Sequence, residues 1–530
     1  MDQREMDDPL DSSPKMVPDL IRLDQVPDNF LQHVETDLLE TSTFQEATAS
    51  STGFASFNLA QKGFLHSHSK ILVGLVPGAA TQFLPTNIGI ASIIDRAVLK
   101  VRKSGQVIND ISDFGHFHAV KSAQISNETN REREQYMTGR IMNKEFKHYY
   151  DDGATTDYSA DTSKGYGLDN GREYSQSSLG AVRGIGQKGQ IQPFALMDTG
   201  AVAESPTYSI DISDLFLFMK TQSLPLYMID QGLTIELFWS RTTTDRVCVG
   251  AVGDAGNAAV IDQNELKLVA DYITYTEDDA MNRYRDQNPV IDLSFSDYRL
   301  SKNTRSQAEL ATGFVRQLGM NNRVVPRVTT TLAIDGSGST EAGPAPATIT
   351  RFQDQSLMNQ YNMQAPVEHQ FRVAAGEGQQ LSYNVRYKSR FEFSQAITNK
   401  ARAFTQFVQS EGLPFVSRQE YSRDQGGYLV GRSAAGAPQG PAEFEDYGQS
   451  TVLGGQFFML GTRLTNGRVG NDGIELHLSG EFLDPCPSRA GTALAPGAPI
   501  PGTTQYVVRT YCEYVRRARL ENGEMQIFNA

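Results

Sequence analysis

Residues 232–237 read GLTIEL and residues 473–478 read GIELHL, so both stretches open on a glycine. Apolar residues stand at alternate positions of both stretches: Leu233, Ile235 and Leu237 in one, and Ile474, Leu476 and Leu478 in the other. An alternation of period two is that of a β-strand with one buried face. Both stretches are therefore predicted to be half-buried strands.

The strands that follow these two stretches also match each other. After loops of similar length, the pattern V-x-x-Y-x-x-Y occurs at Val269, Tyr272 and Tyr275, and again at Val508, Tyr511 and Tyr514. The partners in both matches lie about 240 residues apart and in the same order. Any β protein contains one such strand, but two in register predict tandem domains of one fold.

The size of the chain agrees with two β domains. A single hydrophobic core rarely grows beyond about 250–300 residues, so 530 residues predict two domains. The other apolar segments are mostly short, and turns with glycine or proline separate them. We therefore predict an all-β protein: two tandem jelly-roll (β-sandwich) domains with inserted helices and long surface loops.

Changes in composition give the expected domain boundaries. Residues 1–45 are predicted to form an N-terminal arm and residues 46–277 the first jelly-roll, whose long polar loop spans 141–190. A linker helix is predicted at 278–289 and the second jelly-roll at 290–530. A polar loop of such length in a compact protein is usually functional or disordered, and we expect it on a surface.

The arm is rich in acidic residues and also carries large apolar ones, among them Phe30 and Leu31. A frayed terminus is the simplest interpretation. A free tail has no need for so many large apolar side chains. We therefore favour an arm that docks against a neighbour.

Charge and cysteine usage exclude several classes of protein. The net charge of −14 argues against binding nucleic acid over a broad face, and we expect no direct sequence-specific contact with it. Three scattered cysteines, Cys248, Cys486 and Cys512, predict reduced thiols rather than a disulfide framework or a zinc site. There is no run of about 18 apolar residues, so no membrane span is expected.

Candidate chemical sites are few. His66 and His68 have the spacing of two metal ligands on one strand face, as do His116 and His118, but no third ligand is near either pair in sequence. Structural histidines are the more frequent case. The chain contains no G-x-S-x-G, P-loop or H-E-x-x-H motif. We expect no catalysis, no cofactor and no metal.

Seven stretches together carry a further signal, and the most specific is NETNREREQYMTGR at 127–140. The others are RLDQVP at 22–27, VETDLLE at 34–40, KGFLHSHSKI at 62–71, IASIIDRAVLKV at 90–101, LSFSDYRLSKNT at 293–304 and GMNNRVVPRV at 319–328. These stretches resemble major capsid proteins of virophages and polinton-like viruses. The resemblance spans most of the chain, with gaps between the stretches.

The resemblance implies a double jelly-roll fold and a homotrimer shaped as a pseudo-hexamer. It also implies that the trimer tiles the icosahedral shell of a DNA virus. The partners would be neighbouring capsomers, penton proteins and other minor capsid proteins, in a virion assembled inside the infected host cell. The sequence does not indicate whether a membrane lies beneath the shell.

A helix is predicted over residues 118–140, and the charges of its second half alternate in sign. Such a helix face is either solvated or paired with a symmetry mate, and the resemblance favours assembly. The candidate interface residues, with two from the arm, are Asn127, Glu128, Asn130, Arg131, Glu132, Arg133, Glu134, Tyr136, Arg140, Phe30 and Leu31. The basic run Arg516, Arg517 and Arg519 is either a solvated strand end or a contact to a partner.

Two other functions fit a protein with tandem β domains. A host-attachment protein of a virion, spike-like or lectin-like, would carry its ligand site on the loops. A carbohydrate-active enzyme with a β-sandwich module would need two paired acids in a cleft, and no such pair stands out among 62 acidic residues.

Overall fold

The structure of the protein is a computed structural model. It describes residues 32–48, 50–78, 82–84, 88–124, 137–139, 147–151, 207–221, 223–242, 245–249, 257–275, 278–334, 340–342, 348–350, 381–411, 428–432, 458–464, 467–480 and 505–529.

The first half of the chain is built mainly of strands. The strands are β1 (Gln32–Glu40), β2 (Thr43–Gln45), β3 (Phe54–Asn58), β4 (Phe64–Leu65), β5 (Lys70–Val76), β6 (Gln82–Phe83), β7 (Ile94–Val101), β8 (Val107–Ser112), β9 (Lys147–Asp151), β10 (Thr207–Asp211), β11 (Leu224–Pro225), β12 (Leu233–Trp239), β13 (Cys248–Val249) and β14 (Val260–Tyr275). The α-helices are α1 (Phe114–Gln124), α2 (Ile212–Leu215), α3 (Phe218–Thr221) and α4 (Asp278–Gln287). Short 3-10 helices lie at Gly89–Ile93 and Leu226–Met228.

The second half has the same character. Its strands are β15 (Val290–Ser306), β16 (Phe314–Gly319), β17 (Arg327–Ile334), β18 (Thr340–Ala342), β19 (Thr348–Thr350), β20 (Ser382–Tyr387), β21 (Arg390–Phe391), β22 (Tyr428–Arg432), β23 (Met459–Arg463), β24 (Ile474–Ser479), β25 (Gln505–Glu521) and β26 (Glu524–Asn529). Its helices are α5 (Gln307–Thr312) and α6 (Lys400–Glu411).

Each half forms two antiparallel sheets with the same strand order. In the first half the orders are β1-β14-β5-β10, with β4 and β11 added beside β14, and β2-β3-β12-β7-β8. In the second half they are β15-β25-β17-β23, with β26 beside β25, and β16-β24-β20-β21. In all four sheets, strands from the start of a half lie next to strands from its end. This arrangement is the topology of a jelly-roll. The prediction of two tandem jelly-roll domains is confirmed.

The repeated G-φ-x-φ stretches occupy equivalent places. They become β12 and β24, and each lies between two other strands of its sheet. The glycines that open them, Gly232 and Gly473, have φ of 66° and 72°. A Cβ on Gly473 would lie 2.6 Å from the carbonyl oxygen of Gly319, so both the backbone angle and the close approach require glycine there.

The repeated V-x-x-Y-x-x-Y pattern lies on equivalent strands, but its side chains do not lie on equivalent faces of those strands. Both β14 and β25 are central strands, as expected. Tyr272 is fully buried, and its hydroxyl accepts a hydrogen bond from the Ala60 amide of the same half. Tyr511 instead packs against Phe117 of the other half. The tyrosines aligned in sequence are therefore not equivalent, because a shift of one residue moves a side chain to the opposite face of a strand.

Strand β1 lies within the segment that the sequence assigned to the arm. It pairs with β14 over nine residues, from Gln32 opposite Tyr275 to Glu40 opposite Lys267. Residues 32–40 therefore belong to the first sheet rather than to a separate arm, and residues 1–31 lie outside the described residues. The arm was extended too far because β1 lacks the alternating apolar pattern of a buried strand.

The side of β1 that faces the same way as the buried Tyr272 carries charge. Glu35 and Asp37 share this face, since they lie opposite Tyr272 and Ala270 in the register. The ammonium group of Lys62 lies 3.0 Å from Glu35 and 2.6 Å from Asp37. It also lies 4.8 Å from the centre of the Tyr272 ring. One lysine thus pairs with two acidic side chains beside a buried aromatic ring.

The inserted helices lie near their expected places. Helix α1 begins at Phe114, four residues before the predicted start, and residues 125–136 lie outside the described residues. Helix α4 lies between β14 and β15, where the sequence places the linker 278–289. Most of the predicted loop 141–190 also lies outside the described residues, apart from β9, which pairs in parallel with β22. The boundaries of the two domains stay a prediction.

A fully buried arginine, Arg246, holds several segments together at one end of the first half. Its guanidinium donates hydrogen bonds to the carbonyl oxygens of Ser240 and Ala259 at 2.9 Å, and to Glu46 Oε1 at 2.6 Å. The other Glu46 oxygen accepts from the Ile261 amide at 2.7 Å. Glu46 and Ser240 directly follow β2 and β12, and Ala259 directly precedes β14, so one ion pair joins both sheets of the first half.

We expect the substitution Arg246→Met to destabilise the protein by about 3 kcal/mol, because it leaves Glu46 and two carbonyl groups without their buried partner. Urea denaturation measures the change. The matched control is Arg241→Met, which removes a side chain that is half exposed and pairs with Asp245 at 3.2 Å. The control should cost less than about 1 kcal/mol. Equal effects of the two substitutions would contradict this role for Arg246.

Candidate assembly interface

The two halves pack against each other through aromatic side chains. Phe117 of α1 lies 5.0 Å from Tyr298 of β15 and 5.8 Å from Tyr511 of β25, measured between ring centres. Phe218 of α3 meets Phe295 of β15 edge-on at 4.8 Å. A single cluster of buried apolar residues contains members from both halves. The contact therefore resembles a domain core rather than a surface contact, and burial of aromatic area dominates such contacts.

A buried carboxylate, Asp297 of β15, lies at the centre of this contact. Its Oδ1 accepts hydrogen bonds from Asn109 of β8 at 3.2 Å and from the Tyr298 amide at 2.9 Å. Its Oδ2 accepts from Arg516 at 2.9 Å and from the Tyr514 hydroxyl at 3.0 Å. All four acceptor positions of a carboxylate are thus used. Asp297 is 2% exposed, so these bonds replace water almost completely.

Arg516 extends this network into the first half. The same Nη1 that pairs with Asp297 donates to the carbonyl oxygen of Ile108 at 2.8 Å, and Nη2 lies 3.4 Å from the carbonyl oxygen of Val107. Strand β8 is the edge of its sheet, so these carbonyl groups would otherwise lack a strand partner on that side. The arginine satisfies them and closes the edge against the second half.

Burial raises the pKa of Asp297, and the neighbouring Arg516 offsets this only in part. The ion pair therefore contributes less to stability than its short distances suggest. Loss of one partner is costly, because it leaves the other charge buried and unpaired. The pair ties β15 and β25 of the second half to β8 of the first.

A second polar cluster surrounds Asp113, which precedes α1 and has a positive φ of 55°. Its Oδ1 bonds to His116 Nδ1 at 2.7 Å. Its Oδ2 accepts from Arg509 at 2.7 Å and lies 3.2 Å from the Lys302 ammonium. Both cations belong to the second half, so this carboxylate joins the start of α1 to β15 and β25.

The cations control the protonation of this cluster. Burial raises the pKa of Asp113, but Arg509, His116 and Lys302 more than compensate and hold it well below its usual range. Burial, together with Arg509, lowers the pKa of His116 to about 4 against the opposing effect of Asp113. At neutral pH the cluster therefore contains an ionised carboxylate, a neutral imidazole and two cations.

The interface residues predicted from the sequence cannot be placed here. Asn127, Glu128, Asn130, Arg131, Glu132, Arg133, Glu134, Tyr136, Arg140, Phe30 and Leu31 all lie outside the described residues. Their part in assembly stays a prediction.

Asp297 and Asp113 join the two halves. Their role was not predicted from the sequence, because a single acidic residue forms no recognisable motif. The basic run Arg516, Arg517 and Arg519 did indicate one residue of this contact. Arg516 lies in the contact between the halves, whereas Arg519 pairs with Asp292 at 2.9 Å on an exposed strand face. The contact of Arg516 is within the chain, so a contact of this run to a partner stays a prediction.

The side chains of the two histidine pairs contact other groups of the protein. The rings of His66 and His68 stack with centres 4.9 Å apart, and the Nδ1 atom of His66 accepts a hydrogen bond from the His68 amide. His116 binds Asp113, whereas His118 bonds to Ser122 at 3.2 Å. Within the described ranges, no three histidine, cysteine or acidic side chains are grouped as metal ligands. In the same ranges no helix is long and apolar enough to cross a membrane.

Comparison with known proteins bears on the fold. No protein-family model and no curated protein sequence matches the chain. A chain from the 3.5 Å cryo-EM structure of the Sputnik virophage is 11% identical, covers 95% of this chain and 89% of its own length, and has a TM-score of 0.50. Together with the strand order, this match settles the architecture. The chain has the double jelly-roll fold.

Two further solved structures are similar to the double jelly-roll chain. The mavirus major capsid protein is 9% identical, with 100% of this chain and 95% of its own covered at a TM-score of 0.47. A chain of the PBCV-1 virus capsid is 11% identical, with coverages of 95% and 98% and a TM-score of 0.49. The resemblance that the sequence motifs predicted is confirmed at the level of the fold by the match to the Sputnik virophage chain.

The Asp113 cluster predicts a pH dependence of stability. The folded protein binds a proton on His116 only near pH 4, whereas the unfolded chain does so near the ordinary value of 6.5. Acidification through this window therefore favours unfolding. One pKa unit corresponds to about 1.4 kcal/mol, so His116 should cost about 2 kcal/mol between pH 7.5 and pH 5.

Urea denaturation of the wild type and of His116→Gln at both pH values measures this contribution. The difference in free energy of unfolding between pH 7.5 and pH 5 should be about 2 kcal/mol smaller in the variant. The same pH difference in both proteins would contradict the burial of a neutral imidazole at this position.

Proposed function

We propose that the chain is a major capsid protein, the subunit that tiles the icosahedral shell of a DNA virus. One observation carries the proposal: two barrels of equivalent strand order are joined in one chain through a buried contact. A chain built in this way presents two similar upright blocks to its neighbours. The double jelly-roll fold shared with a Sputnik virophage chain supports this role.

In this proposal three chains form one capsomer. Two barrels per chain and three chains give six barrels, so a trimer fills a site of hexagonal outline. We propose that helix α4 separates the barrels, and that loops 141–190 and 333–350 face outwards. Residues preceding β1 would connect the trimer to neighbouring capsomers, or to penton and other minor capsid proteins.

The chemistry of the described residues supports a structural role. Asp113 and Asp297 lie at the contact between the barrels. Both carboxylates bind cations of the same chain there. Groups that are paired and buried in this way stabilise a fold and are not accessible to a substrate. We therefore propose assembly, in the virion, rather than catalysis.

Size-exclusion chromatography with light scattering tests the proposal directly. We expect a stable species of three times the chain mass of 58.4 kDa. Electron microscopy of concentrated protein should then show hexagonal sheets or closed shells. A chain that stays monomeric at all concentrations, and forms no sheets, would refute the capsomer and favour an attachment protein.

Deletion of the N-terminal segment separates capsomer formation from shell formation. The deletion should stop at residue 31, because β1 starts at Gln32 and pairs with β14 along its whole length. We expect trimers to form and shells to be lost, as measured by light scattering and electron microscopy. Normal shells from the truncated chain would remove this segment from assembly. A matched control with residues 1–10 deleted shows whether any shortening of the terminus has the effect.

A further inference from the structure

Two separate groups of polar residues hold the halves of the chain together. In the first group, Asp113 binds His116 of its own half and Arg509 of the other half. In the second group, Asp297 pairs with Arg516, whose guanidinium also donates to a carbonyl oxygen of β8. We call the groups around these two carboxylates the Asp113 anchor and the Asp297 anchor.

The two anchors lie far apart along the strands of the second half. Lys302, whose ammonium lies 3.2 Å from Asp113, comes five residues after Asp297 on β15. Arg509 comes seven residues before Arg516 on β25. Since a strand rises about 3.3 Å per residue, the anchors are separated by roughly 17–23 Å along these strands. Attachment points so far apart can be released one at a time.

Further contacts hold the side of the interface where the Asp297 anchor lies. Phe218 of the first half meets Phe295 edge-on at 4.8 Å. Farther along, the turn between β25 and β26 docks on the first half, because the Asp230 amide donates to the carbonyl oxygen of Gly523 at 2.9 Å. A Cβ on Gly523 would lie 2.2 Å from Asp230 Oδ2, so this turn fits closely. Loss of the Asp113 anchor alone therefore leaves this side attached.

Acid acts against the Asp113 anchor. In the closed contact His116 is a neutral imidazole that binds Asp113 and lies near the cations Arg509 and Lys302. Burial, together with Arg509, lowers the pKa of His116 to about 4. When the contact opens, water reaches the ring and its pKa returns towards the ordinary 6.5. A proton taken up in this window therefore favours the open contact.

The other carboxyl groups of the interface do not favour opening in the same window. The cations near Asp113 hold its pKa well below the usual range, so it keeps its charge. Burial raises the pKa of Asp297, and Arg516 offsets this only in part. Burial, together with Asp113, raises the pKa of Asp95 on β7, which also interacts with Lys302. A carboxyl group with a raised pKa binds a proton more readily in the folded protein than in water, so falling pH does not release it.

We propose that the contact between the barrels is an acid-controlled hinge, in which protonation of His116 releases the Asp113 anchor while the Asp297 anchor holds. The ring takes up one proton from solvent, and the barrels then pivot about the Asp297 side without unfolding. The hinge is a property of the single chain, so it does not depend on the proposed role in a shell. For a group that titrates near 6.5 when open and near 4 when closed, the ratio of open to closed contact rises about thirtyfold between pH 7.5 and pH 5.

Distances between spin labels, measured by pulsed electron paramagnetic resonance, test the hinge in the full chain. Ser112→Cys with Thr304→Cys places exposed labels across the Asp113 anchor, and Ser104→Cys with Gln526→Cys places exposed labels across the Asp297 side. The native cysteines are replaced by alanine, and labelled chains are diluted with unlabelled ones. Between pH 7.5 and pH 5 we expect the ratio of long to short distances to rise about thirtyfold for the first pair and to stay constant for the second.

Substitutions in the Asp113 anchor show which group responds to acid. His116→Gln keeps a neutral polar side chain that binds no proton, so the first pair of labels should give the same distances at both pH values. Lys302→Met, at a side chain that is half exposed, should weaken the response, because one cation fewer opposes the protonated ring. Lys302→Arg should keep the full response. The matched control is His68→Gln, at an exposed histidine outside the contact, which should respond as the wild type does.

Three results would overturn the hinge. The first is a wild-type distance across the Asp113 anchor that does not change at pH 5. The second is an equal lengthening of both label pairs, which would mean that the barrels separate or unfold together. The third is an undiminished response in His116→Gln, which would assign the effect to another group. A monomeric wild type that still shows the hinge would refute the proposed capsomer and leave this inference intact.

Discussion

The placement of one barrel beside the other depends on Asp297 and Arg516. The carboxylate collects hydrogen bonds from β8, β15 and β25, and the guanidinium reaches carbonyl groups at the edge of the first barrel. A buried ion pair adds little net stability, but it tolerates almost no displacement, because either charge becomes unsatisfied if the barrels shift. The surrounding aromatic contacts supply the affinity, and the ion pair supplies the alignment.

A fixed angle between barrels matters for any chain that tiles a surface. Errors in the internal angle add up around a closed ring, so a rigid internal contact favours a single closed assembly over open chains. The Asp113 cluster adds a second attachment point near the start of α1. Two separate polar anchors on one contact restrain rotation as well as sliding.

The fold could be predicted from the sequence because the periodicity of a strand is a local pattern. GLTIEL and GIELHL became β12 and β24 in equivalent places, since alternating apolar residues suit a strand with one buried face. Strand β1 was not predicted, because its Glu35 and Asp37 lie on the side of Tyr272 and pair with Lys62, a partner that no local pattern reveals. The role of Asp297 was not predicted either, since its hydrogen-bond partners Asn109 and Arg516 lie about 190 and 220 residues away in the sequence.

The acids of β1 that lie beside Tyr272 have a consequence for the edge of the first sheet. An edge strand is a template on which other chains can add strands without limit. Within the described residues β1 pairs only with β14, so its other edge is available. Any strand added there would have to accommodate two carboxylates and a lysine on its inner side. Those three charges therefore oppose the addition of further strands at this edge and limit aggregation through it.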